Sequence, residues 1–125
     1  MTQNEIEKGT ANVCDLKYLS EMMGGKNHLI AGIIDAFLVQ IPEELLAIKE
    51  AIEMANYSVI KSFAHTMKSS VSIMGIAVLT PVLQEIENLA VKATDMDRIK
   101  VLYDSLSQIC EKAIEEIETQ RKTFI

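Results

Sequence analysis

Apolar residues recur at three- and four-residue spacing along most of this chain, in runs separated by short polar or glycine-bearing breaks. The first run predicts a short helix capped by Asp15 and reaching about Met23, with Leu16, Leu19 and Met22 or Met23 as its apolar contacts. Gly24-Gly25 stops it, because glycine accepts the left-handed backbone at a helix end. Asn27 is the expected cap of a second helix, whose stripe runs Leu29, Ile30, Ile33, Ile34, Phe37, Leu38, Ile41, Leu45, Ile48 and Ile52. Pro42 falls inside that stripe and is expected to kink or split the helix near Gln40. After a turn at Asn56, a third helix spans about Tyr57 to Met74 and ends at Gly75. Thr80 as N-cap and Pro81 in the first turn open a fourth, carrying Val82, Leu83, Ile86, Leu89 and Ala90. Beyond Ala93-Thr94-Asp95 a last helix runs from about Met96 to Lys122. Its stripe is Ile99, Leu102, Tyr103, Leu106, Ile109, Cys110, Ala113 and Ile117.

Four amphipathic helices with short connections bury their stripes most simply as an antiparallel bundle. The expected fold is therefore all-α, an antiparallel four-helix bundle with a short extra N-terminal helix. Residues 1–14 are polar and unpatterned and read as a flexible leader, leaving 15–125 as the domain. Composition agrees: 49% of residues are hydrophobic but only 5% aromatic, with no Trp, seven Met and two Pro, which suits an aliphatic helical core. The net charge of −6 argues against a nucleic-acid partner, which demands clustered cations. No apolar run approaches the ~20 residues of a membrane span, and the N-terminus has no hydrophobic signal region. Cys14 and Cys110 form no CxxC pair, so no metal site is expected and both read as reduced thiols in a cytoplasmic protein.

Candidate chemistry concentrates on the third helix. On a wheel of about 100° per residue, Ile60, Phe63, Ala64, Met67, Val71 and Met74 share the core face. His65 falls about 140° from Ile60, on the solvent side. Its neighbours one and two turns away are Lys61, Lys68, Ser69 and Ser72, so the imidazole is ringed by small residues and two cations. An exposed imidazole beside a cation suits a group that accepts and passes on a phosphoryl. His28, near a helix start, has no such surroundings, and the glutamates of the last helix (Glu111, Glu115, Glu116, Glu118) read as a solvated face.

The segment His65-Thr66-Met67-Lys68-Ser69-Ser70, with Gly75 beyond it and Leu83, Ile86, Glu87, Asn88 and Leu89 on the following helix, resembles the histidine-containing phosphotransfer (HPt) domain of two-component phosphorelays. The resemblance covers roughly residues 15 to 120. It implies that His65 is the phosphorylated histidine, that Lys68 steadies the phosphoryl group, and that Glu87 stands where relatives place Gln or Glu near the imidazole. An acceptor on Nδ1–H would fix the tautomer and leave Nε2 as the nucleophile. Ser69 departs from a glycine usual at that position; being small, Ser69, with Ser72 and Lys61, is expected to keep the ring open to a partner. Gly75 is expected to be structural.

The function so implied is a phosphorelay intermediate that accepts and donates a phosphoryl group on His65. Its partners would be response-regulator receiver domains and hybrid sensor kinases, exchanging through receiver aspartates. No GxxxxGK[ST] or other glycine-rich phosphate loop is present, so the chain is expected to be a phosphocarrier without a nucleotide site, cofactor or autokinase activity. Methionine suits adaptable surfaces, which makes Met22 or Met23 a candidate docking residue. The alternative is a non-phosphorylated helical adaptor that binds signalling partners. A di-iron bundle is excluded, because neither histidine has Glu three residues before it.

Overall fold

Helix ends in this chain are closed by one repeated backbone device. In the computed structural model, which describes residues 13–124, four helices end with a left-handed residue just past the cap: Gly24, Ala55, Gly75 and Ala93. The next amide then reaches back to the last turn, as in Gly25 N–H to Ser20 O, Asn56 to Ala51, Ile76 to Val71 and Thr94 to Leu89. These stops bound α1 (Lys17–Met22), α2 (Asn27–Glu53), α3 (Tyr57–Ile73) and α4 (Leu79–Val91); α5 (Met96–Arg121) closes through a 3-10 turn at Lys122–Phe124.

Short connections make successive helices antiparallel neighbours, and α5 returns to pack on α2, so α2–α5 form a closed four-helix bundle. Its core is the convergence of four stripes: Ile30, Ile34, Ile41 and Ile48 of α2; Ile60, Met67 and Val71 of α3; Leu79, Leu83 and Ile86 of α4; Ile99, Leu106 and Ile117 of α5. Polar ties stitch the seams. Tyr103 donates its hydroxyl to the Leu45 carbonyl at 2.9 Å, Arg98 grips Glu85 across α5 and α4, and Arg121 grips Asp35 across α5 and α2.

Several local expectations are corrected. Pro42 does not split α2, which runs unbroken through it. Pro42 is exposed, so its ring sits on the solvent side of α2 and not in the core. Asn27 and Thr80 do not cap; the helices start at Asn27 and at Leu79, after Lys26 and Val78. Pro81 is nonetheless in the first turn, where its missing N–H costs nothing. Asp15 sits one residue before the cap of α1, its carboxylate accepting from Lys17 N–H at 3.0 Å. Leu29 is exposed, whereas Glu44 lies on the buried face of α2.

Residues 1–12 of the expected leader lie outside the described residues, but its last two are firmly held. Glu116 is not merely solvated: its carboxylate accepts from Val13 N–H at 2.9 Å and from Cys14 N–H at 3.1 Å. Cys14 is buried and its thiol donates to the Ala113 carbonyl. Burial first, then the nearby Glu116 charge, push this thiol up to about 12; burial and Glu44 do the same for Cys110, and both are free thiols. Val13 and Cys14 are therefore part of the packed structure. The segment then crosses Gly75, whose carbonyl accepts from Asp15 N–H at 3.0 Å.

Candidate functional site

The site stands on the outer edge of the α3–α4 seam. Asn56 opens α3, its side chain accepting from Val59 N–H. With Ile60, Ala64, Met67 and Val71 drawn into the core, His65 is turned outward with 69% of its side chain exposed. On α4 the buried Leu83, Ile86 and Ala90 fix the rotation in the same way and bring Gln84, Glu87 and Asn88 to the edge facing α3.

One carboxylate links the two cationic or basic groups. Glu87 Oε2 lies 2.9 Å from His65 Nδ1, and Glu87 Oε1 lies 2.6 Å from Lys68 Nζ. The Lys68 bond, helped by that of His65, holds the Glu87 carboxyl below its ordinary range, against burial acting in the opposite direction. With Glu87 ionised, Nδ1 is the protonated nitrogen and donates, so the neutral ring keeps its lone pair on Nε2. None of the described residues hydrogen-bonds to Nε2.

Lys68 is only 21% exposed and also donates to Gln84 Oε1 at 2.8 Å. Gln84 in turn donates its amide N–H to Asn88 Oδ1 at 2.9 Å, which fixes the orientation of the amide. Beside the ring an open groove of about 430 Å³ is lined by Lys61, Ser62 and Thr66 of α3 and by Glu87 and Val91 of α4. The Thr66 hydroxyl is bonded back to the Ser62 carbonyl at 3.0 Å and offers no proton to the groove.

His65, Lys68 and Glu87 are thus brought together, and Lys61 lines the same groove. Ser69 and Ser72 are exposed further along α3 but do not line it. Gly75 is the left-handed residue closing α3. Met22 is 44% exposed, whereas Met23 packs partly against the core. Sequence reasoning missed Gln84 and Val91. Both were within reach: they stand three residues before and four after Glu87, on the same edge of α4.

The sequence matches the Hpt domain family over residues 32–120, from within α2 to the last turn of α5. The chain belongs to the Hpt family. That membership carries the function at its broad level, histidine phosphotransfer in phosphorelays, and Hpt proteins act as carriers that interact with receiver domains and kinases. The Hpt fold is also that of histidine-containing phosphotransfer protein B (HptB) from Pseudomonas aeruginosa PAO1: TM-score 0.82 at 18% identity, covering 91% of this chain and 98% of that one. No curated protein sequence matches the chain. No helix of the described residues is long and apolar enough to cross a membrane.

Proposed function

We propose that His65 is the residue phosphorylated in this Hpt domain, with Nε2 as the nucleophile, and that it exchanges the phosphoryl group with aspartates of response-regulator receivers and hybrid sensor kinases. The observation that carries this reading is the Glu87 carboxylate at 2.9 Å from Nδ1 of a ring exposed on its other side. An acceptor there orients the ring and commits its lone pair to Nε2. In the transfer the Nε2 lone pair attacks phosphorus of an aspartyl phosphate. The P–N bond forms as the bond from phosphorus to the acyl oxygen breaks, and the receiver carboxylate leaves with that electron pair.

Transfer of this kind depends on alignment and charge stabilisation more than on covalent work by the carrier. Lys68 supplies positive charge one turn from the ring, and Lys61 presents a second cation in the groove to an acidic receiver pocket. Ser69 and Ser72, small and exposed, leave room for the partner along α3. The protein acts in the cytoplasm as a carrier without autokinase activity, so ATP alone leaves its mass unchanged.

The test is the intact mass of the chain after mixing with receiver domains phosphorylated beforehand by a small-molecule donor in Mg²⁺. A gain of one phosphate, lost in acid, kept in base and absent in His65→Gln, is the expected result. Labelling that persists in His65→Gln refutes the assignment. No transfer from any receiver, with a working Hpt control, favours a non-phosphorylated adaptor.

A further inference from the structure

The two oxygens of Glu87 are committed to two different groups of the site. Oε2 accepts from the ring nitrogen opposite the nucleophile, and Oε1 holds the Lys68 ammonium against α4. Lys68 is also anchored by Gln84, whose amide is fixed by Asn88. The charged groups facing the ring are Glu87 from α4 and Lys61 and Lys68 from its own helix. Glu85, the nearest other carboxylate of α4 in sequence, is paired with Arg98 of α5 instead. From α2, the cleft against α3 is lined by the uncharged Ile33, Phe37 and Gln40.

We propose that Glu87 sets the lifetime of the loaded carrier: its carboxylate makes phospho-His65 shorter-lived than a neutral amide at the same position would. The proposal rests on the reading of His65 as the phosphorylated residue. Three effects act with one sign. A carboxylate adds a negative charge beside the phosphoryl dianion, which an amide does not. It also competes with the phosphoryl group for Lys68, the cation best placed to steady it. Finally, it accepts from Nδ1–H and so keeps a proton on the ring. When a receiver carboxylate or water attacks phosphorus, the P–N bond breaks and its electron pair returns to Nε2. A ring still protonated at Nδ1 leaves as neutral imidazole, whereas a deprotonated ring would leave as the far poorer imidazolate. Glu87 is thus a positioning residue that favours rapid hand-over rather than storage of the phosphoryl group.

The test is the decay of the phosphorylated chain, with receivers removed, in wild type, Glu87→Gln and Glu87→Ala, each checked for fold by circular dichroism. Both neutral variants are expected to hold the phosphoryl group about two- to fivefold longer, the range of a partly exposed charge interaction. In the Glu87→Gln background, removing the ammonium by Lys68→Met is expected to shorten the lifetime more than in wild type, because Gln84 still anchors a lysine no longer held by Glu87. The Nδ1–H of the loaded wild-type ring is expected to give the NMR signal of a hydrogen-bonded proton, and that bond is expected to weaken in Glu87→Gln. An equal or shorter lifetime in the folded variants overturns the proposal. A wild type that takes no label overturns the assignment of His65 instead.

Discussion

Gly75→Ala separates two costs that a glycine at a helix end can hide. Gly75 has a φ of 68°, and Gly24 has a φ of 63° in the same structural role at the end of α1. Any L-residue at either position suffers the left-handed penalty of about 1–2 kcal/mol. Their surroundings differ sharply. A methyl on Gly24 meets nothing within 4 Å, but one on Gly75 would fall 1.9 Å from the Asp15 carbonyl oxygen and 2.7 Å from its nitrogen.

Those atoms are backbone and cannot rotate away. The 13–16 segment must lift, stretching the 3.0 Å bond from Asp15 N–H to Gly75 O and straining the Val13 and Cys14 bonds to Glu116. Forcing extra atoms into packed space costs about 1–3 kcal/mol beyond the backbone term. Gly75→Ala is therefore expected to lose about 2–5 kcal/mol, against about 1–2 kcal/mol for Gly24→Ala. Urea unfolding followed by circular dichroism reads both variants, with an unchanged denaturant slope confirming that the native state is the one affected. Equal losses in the two variants would refute the argument that the Asp15 backbone occupies the space.

The same logic runs in reverse at Ala55, a non-glycine held at φ 53°: Ala55→Gly is expected to stabilise by about 0.5–1 kcal/mol in the same unfolding assay. Glu44 is buried and burial raises its pKa, so the folded chain binds its proton more tightly than the unfolded chain. Stability from this group is full below its ordinary value near 4.5 and is lost as pH rises through the folded value; Glu44→Gln should therefore stabilise more at pH 7 than at pH 4. Lys68→Ala is expected to shorten the phosphohistidine lifetime about two- to fivefold, opposite in sign to Glu87→Gln, and an unchanged decay would remove its proposed role.

The core and the direction of His65 were legible because α3 has a sharp boundary between Ile60, Ala64, Met67 and Val71 and its polar face. Glycine marked the helix ends at Gly24-Gly25 and Gly75, whereas Asn56 and Ala93-Thr94-Asp95 gave the other breaks without showing how the chain stops there. Ala55 and Ala93 adopt the same left-handed stop with no signal in residue type, because the pull comes from the capping bonds and the packing beyond them. Caps failed for the converse reason: Asn27 and Thr80 have capping side chains, but the preceding Lys26 and Val78 take the boundary. Glu44 and Glu116 look like solvated glutamates in a one-dimensional reading. Only the return of α5 onto α2 buries the first, and only the incoming 13–14 segment engages the second. In the site, the spacing of His65, Lys68 and Glu87 was readable, but Gln84 became relevant once α4 was seen to present that edge to Lys68.

The structure also explains why the histidine can change without endangering the bundle. His65 contributes one hydrogen bond at an exposed edge and nothing to the core stripe, whose members on either side, Ala64 and Met67, are fully buried. Surface substitutions of this kind stay within about 0.5 kcal/mol, so loss of labelling in His65→Gln reports chemistry rather than unfolding. The His65 ring and the groove beside it are carried by a seam whose rigidity comes from apolar burial on the opposite faces of α3 and α4. A partner can therefore approach the ring along the polar edge while the packed core behind it stays in place.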